Sequence, residues 1–146
     1  MEELINSMKK VLADTFVMYL KSHNYHWNVV GVDFSQYHAF FGDLYTELWE
    51  AVDPIAEHIR ALDGIAPGSL ARFQELATVQ DELGSPYYNT TVMAQTLLKD
   101  NQIVLDTLRD AYRMAERFDE LGLQNFLQDR MDIHKKHGWM LRAMTK

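Results

Sequence analysis

The chain contains no cysteine. That absence removes disulfide frameworks, thiolate metal sites and cysteine nucleophiles together. Any metal held here must rest on imidazole and carboxylate groups, a donor set that suits iron, zinc, manganese or copper. Proline and glycine are sparse, at 3 and 7 residues, so long uninterrupted elements are expected. No apolar run approaches the roughly 20 residues needed to span a bilayer. Basic residues are in deficit, 14 against 21 acidic ones, for a formal charge of −7. That balance argues against a nucleic-acid phosphate backbone as partner. "MKK" and "KK" are isolated pairs, as on a solvated helix face, and no basic tail accompanies them. Met1-Glu2-Glu3 opens no basic region leading into an apolar stretch, so no secretory signal is read and the cytoplasm is the expected location.

What is present points to helices. The 146 residues are 47% apolar and 24% charged, which fits a single globular domain over residues 1–146. Breaks are expected at Gly31-Val32-Asp33, at "DGIAPGS" (63–69), at Gly84-Ser85-Pro86 and at Gly122. Between them the apolar periodicity is helical, predicting helices over about 3–29, 35–62, 88–118 and 121–144. A shorter helix is expected around "SLARFQEL", with Ser69 as its N-cap. The result is an all-α four-helix bundle with a short extra helix in the middle connection.

In the second helix, Phe41, Tyr45, Leu48, Val52, Ile55, Ile59 and Leu62 fall four and three apart, an apolar seam. The seam runs through Pro54. Either a new helix starts there, capped by Asp53, or one long helix is kinked; the unbroken phase favours the single helix. Extending the seam back one heptad from Tyr45 lands on His38. A histidine on an apolar face, like His26 beside Trp27, is more often a packed residue than a ligand. Asp53 and Glu57 share a face off the seam, which reads either as solvated surface or as a carboxylate pair for a cation. On a continuous helix His38 and Asp53 lie about 22 Å apart, so one chain cannot bring them to one metal. Antiparallel pairing with a twofold-related copy can. Trp49, Ala56 and Gly42 give that outward side an apolar, small-residue surface. Bundles with a di-iron site inside one chain carry Glu-x-x-His pairs, and no glutamate here has a histidine three residues later. No Ser-His-Asp set, phosphate-binding glycine loop or zinc-protease motif is present.

"NYHWNVVGVDFSQYHAFFGDLYTEL", then "VDPIAEHIRAL", "PGSL" and "DIHKKHGWMLRAM", resemble the Dps miniferritins of the ferritin-like superfamily over essentially the whole chain. The resemblance implies a hollow shell of twelve subunits that oxidises ferrous iron with hydrogen peroxide and stores ferric mineral. It implies a di-iron site at each twofold interface, with His26 and His38 from one chain and Asp53 and Glu57 from its neighbour. Trp27 would sit beside the site, where the family's tryptophan is thought to help pass electrons.

Three departures stand out. The family commonly has an acidic residue four positions after the second histidine, where this chain has Gly42. The ligand is lost, replaced by water, or supplied by Asp43. His58 follows Glu57 where arginine is usual, as an extra ligand or as a surface substitution. His23, one turn before His26, looks ordinary for the family. Lys-rich terminal extensions, often credited with DNA binding in the family, have no counterpart here, so DNA compaction is the least favoured function. Zinc is the alternative metal, in a divalent-metal shell with weak ferroxidase activity. Asp119, Glu120 and Asp129 are candidate pore residues or plain surface charge. His134 and His137, three apart, have a spacing compatible with one metal; packing is the preferred reading.

Overall fold

The computed structural model describes residues 1–84 and 89–146, and within them every regular element is helical. The order is α1 (Glu2–Asn28), α2 (Phe34–Ala61), α3 (Leu70–Leu76), α4 (Thr90–Arg117) and α5 (Leu121–Met144). These bounds agree with the predicted spans to within about two residues. Ser85 and Pro86 of the third expected break, and the predicted helix start at 88, lie outside the described residues. Helix α1 packs on α2 and α4, α4 packs on α5, and the short α3 lies against α1.

Burial follows heptad spacing. Leu4, Met8, Val11, Thr15, Met18, Ser22 and Tyr25 make the buried line of α1, with the Ser22 hydroxyl satisfied by the Met18 carbonyl at 2.8 Å. Ser69 caps α3 as expected, its side chain accepting from the Arg72 amide. Asp14 is a fully buried carboxylate. It accepts from the amides of Thr78 (2.6 Å) and Val79 (2.9 Å) and from the Thr107 hydroxyl (2.7 Å). It thereby ties the connection after α3 to α1 and α4. A second buried tie, Lys21 to Asp100 at 2.8 Å, joins α1 to α4.

Helix α2 is continuous through Pro54. Proline removes the hydrogen bond to the carbonyl four residues back, here Glu50, and both residues are exposed, so water can serve that carbonyl. The seam needs correction. Phe41, Leu48, Ile55 and Ile59 are buried as expected, but Leu44 and Ala51 fill the alternate core positions. Tyr45, Val52 and Leu62 are half-buried. The core stripe is thus 41-44-48-51-55, and 38-45-52 forms a flank beside it. His38 therefore belongs to the border of the core and not to its interior.

Candidate metal centre

His26 ends α1 and His38 lies in the second turn of α2. The reversal between them starts where Val29 leaves the helix with φ −62° and ψ 138°. It depends on Gly31 at φ 126°, a conformation glycine alone adopts without strain. Across this corner the histidines hold each other. His26 Nδ1 lies 2.7 Å from the His38 carbonyl oxygen, and His38 Nδ1 lies 2.7 Å from the His26 carbonyl oxygen. A carbonyl only accepts, so each ring carries a proton on Nδ1, and in the neutral tautomer the lone pair is on Nε2. That is the arrangement metal-binding imidazoles require, with the second nitrogen fixed by a backbone partner. The rings stack at 3.8 Å and 19°, and Phe34 stacks on His38 at 4.9 Å.

Gly42 explains how His26 fits. A Cβ at this position would stand 3.2 Å from both Cε1 and Nδ1 of His26. The imidazole occupies the space that a side chain at position 42 would begin to fill. Asp43 lines a separate groove between α2 and α5 with Glu47, Asp132, Lys136 and His137.

An aromatic layer supports the corner. His23 lies between Trp27 (3.9 Å) and Tyr45 (3.8 Å, 6°), and its Nδ1 hydrogen-bonds the Tyr19 hydroxyl at 3.0 Å. Burial, then the neighbouring His26, lowers the His23 pKa, which keeps it neutral. Tyr45 also meets His26 edge-on at 5.2 Å. Sequence reasoning assigned Tyr45 to the core and missed this role; its place seven residues after His38 was the available signal. Trp27 is 60% exposed.

Asp53 and Glu57 stand exposed on α2. A hydrogen bond with Asp53, together with the charge of Asp53, raises the Glu57 pKa above its usual value. Two carboxyls close enough to share a proton are close enough to share a cation. Along the continuous helix they remain about 22 Å (Asp53) and about 28 Å (Glu57) from His38. Among the described residues no three histidine, aspartate or glutamate side chains are grouped to hold a metal ion. The histidine pair and the carboxylate pair are therefore separate within one chain.

The remaining histidines pack. His58 lies on Phe126 of α5 at 4.3 Å, and burial lowers its pKa. His134 is completely buried, its Nδ1 2.8 Å from Asn101 Oδ1 and its Nε2 3.0 Å from Arg130. His137 Nε2 meets Glu47 at 2.8 Å, and Glu47 also pairs with Arg130. Asp119 sits in the α4–α5 turn at φ 56°, Glu120 is the N-cap residue of α5 without a side-chain cap bond, and Asp129 is exposed.

Residues 5–146 match the family model of the ferritin-like domain. A low-temperature-induced protein of Nostoc is 35% identical over 98% of this chain and 80% of its own length. The DNA protection during starvation protein 2 of Bacillus anthracis is 32% identical over 97% of this chain and 96% of its own. Among solved structures, the Dps protein of Vibrio cholerae superposes with a TM-score of 0.94 at 28% identity, covering 99% of this chain and 90% of that one. It is described as a member of a superfamily of ferritin-like di-iron-carboxylate proteins.

Proposed function

The chain belongs to the ferritin-like family, within its Dps branch of iron-binding, stress-protective proteins, and on that basis we propose that it is a peroxide-consuming ferroxidase. Two copies pair antiparallel through α2, so that His26 and His38 of one face Asp53 and Glu57 of the other. Six such dimers close a twelve-subunit shell in the cytoplasm, inside which ferric iron is stored. The observation that carries this reading is the reciprocal bonding of the two histidines, which leaves both Nε2 lone pairs ready for a cation. The hydrogen bond between Asp53 and Glu57, which raises the Glu57 pKa, supports the other half.

Ferrous iron is the substrate. Two ferrous ions give two electrons to one hydrogen peroxide, which takes up two protons and leaves as two water molecules. Removing the electrons as a pair suppresses hydroxyl radical. The imidazoles bind through Nε2, the carboxylates offset the cationic charge, and Trp27, next to His26 in the chain, is the proposed auxiliary electron donor. Anaerobic ferrous titration followed by peroxide tests the proposal: growth of ferric absorbance is expected, and its absence overturns it. Glu57→Ala should slow oxidation at least tenfold while the sedimentation of the shell stays unchanged; unaltered kinetics would remove Glu57 from the site.

A second reading, a zinc-type shell with weak ferroxidase activity, draws on Gly42, because a site without the acidic residue common at that position has a larger imidazole share, and imidazole suits zinc. Competition of zinc against ferrous iron in the same titration separates the two. Direct DNA compaction does not fit the charge of −7, and a clear gel shift at low salt would reverse that judgement.

A further inference from the structure

One cleft runs against the acidity of the chain. Where α4 and α5 lie side by side they enclose about 450 Å³, lined by Lys99 and Arg109 of α4, Lys135 and Arg142 of α5, and the amides of Gln95 and Gln102. No carboxylate lines it. Asp106, at an exposed position, lies 3.7 Å from Arg109 and accepts from Gln102 at 3.0 Å. Lys99, Lys135 and Arg142 have no ion-pair partner among the described residues.

The floor is set. At Gly138 an added Cβ would meet Asn101 Nδ2 at 3.0 Å and Arg142 Nη1 at 3.4 Å. The Arg142 guanidinium thus lies over the bare glycine. Beneath it Asn101 Nδ2 donates to the His134 carbonyl at 2.8 Å, and Asn101 Oδ1 faces His134 Nδ1 at 2.8 Å. These groups satisfy one another, so the floor leaves Lys99, Lys135 and Arg142 without an ion-pair partner among the described residues. Lys99 to Arg109 spans about 15 Å of α4, and Lys135 to Arg142 about 10 Å of α5.

Cations arrayed along such a length repel one another, and an extended anion relieves that repulsion. A single carboxylate would neutralise one of them. A row of linked phosphates meets several at once, with guanidinium forks gripping two oxygens each and lysines acting as point charges. We propose that the α4–α5 cleft is an oligophosphate-binding site, separate from the metal centre.

Calorimetric titration of the metal-free assembled protein with inorganic tripolyphosphate tests this. Saturable binding is expected. Lys99→Ala/Arg142→Ala should weaken it tenfold or more and flatten its salt dependence. Lys10→Ala/Arg113→Ala, two exposed cations outside the cleft, should leave it unchanged. No binding, or equal loss in both double variants, overturns the proposal. If the cleft variant fails to assemble by native mass while the control assembles, the cleft is a subunit interface and the proposal falls. A single-stranded oligonucleotide that binds through these residues where tripolyphosphate does not would likewise overturn it, assigning the cleft to nucleic acid.

Discussion

At position 42 a lone hydrogen lets the His26 ring stand within van der Waals reach of α2. Alanine there should separate packing from binding. In a helix interior alanine is favoured over glycine by about 1 kcal/mol, so the thermal midpoint of Gly42→Ala should hold or rise. The added carbon at 3.2 Å must push the ring aside by tenths of an ångström, and anaerobic cobalt(II) affinity should fall several-fold. Unchanged affinity would mean that the contact does not set the ring. The sequence made His26 and His38 candidates through their spacing. It could not announce their mutual bonds, because the acceptors are backbone carbonyls, which every residue possesses. Position 42 was legible as a departure, yet its physical meaning needed the distance to His26.

Helices were the most legible level. Their spans follow from apolar periodicity, and Pro54 was rightly read as lying within one helix because the phase ran on past it. The face of α2 was less legible: Tyr45 and Val52 are as apolar as Leu44 and Ala51, so composition alone could not choose between two adjacent stripes. Polar ties between elements were invisible for a different reason, since their partners are far apart in sequence. Asp14→Ala would leave the Thr78 amide and the buried Val79 amide without their acceptor, and the Thr107 hydroxyl with only the Ile103 carbonyl, a loss of about 3 kcal/mol. Urea denaturation should show this, with faster proteolysis between residues 77 and 84.

The tie between α2 and α5 responds to pH. Burial favours the proton on Glu47, but hydrogen bonds from His137 and Arg130 and the Arg130 charge prevail, holding its pKa down to about 2. The folded value lies below the unfolded one of about 4.3. Its stabilisation is therefore complete above about pH 5 and is lost as pH falls from there towards 2. Between pH 5 and 3 the parent should lose stability that Glu47→Gln has already lost, narrowing a gap of up to about 3 kcal/mol. Parallel denaturation curves at pH 5 and 3 would contradict this.

Across the whole molecule, α2 presents an exposed surface that the other helices do not cover. Trp49 is 53% exposed there, resting on Tyr19 at 5.0 Å. Trp49→Glu sets a charge into the apolar face of the proposed antiparallel pair. It should preserve helicity, split the assembly in sedimentation, and abolish peroxide-dependent iron oxidation. Retained oxidation by a dispersed chain would refute the shared site. No described helix is long and apolar enough to cross a membrane. The proposed pairing draws on the sequence itself, because the 15-residue separation of His38 from Asp53 on one continuous helix keeps those two side chains from a common metal within one chain.

Helix α2 carries His38 at one end, beside His26 of α1, and carboxylates towards the other, on a single rod of 28 residues. In the proposed pairing each copy lends half of itself to two centres. A lesion at either end therefore spoils one of them, and a copy damaged at both ends silences two while its neighbour is intact. In a cell that expresses a mixture of sound and faulty genes, the faulty allele would act dominantly, in proportion to how often it enters a pair.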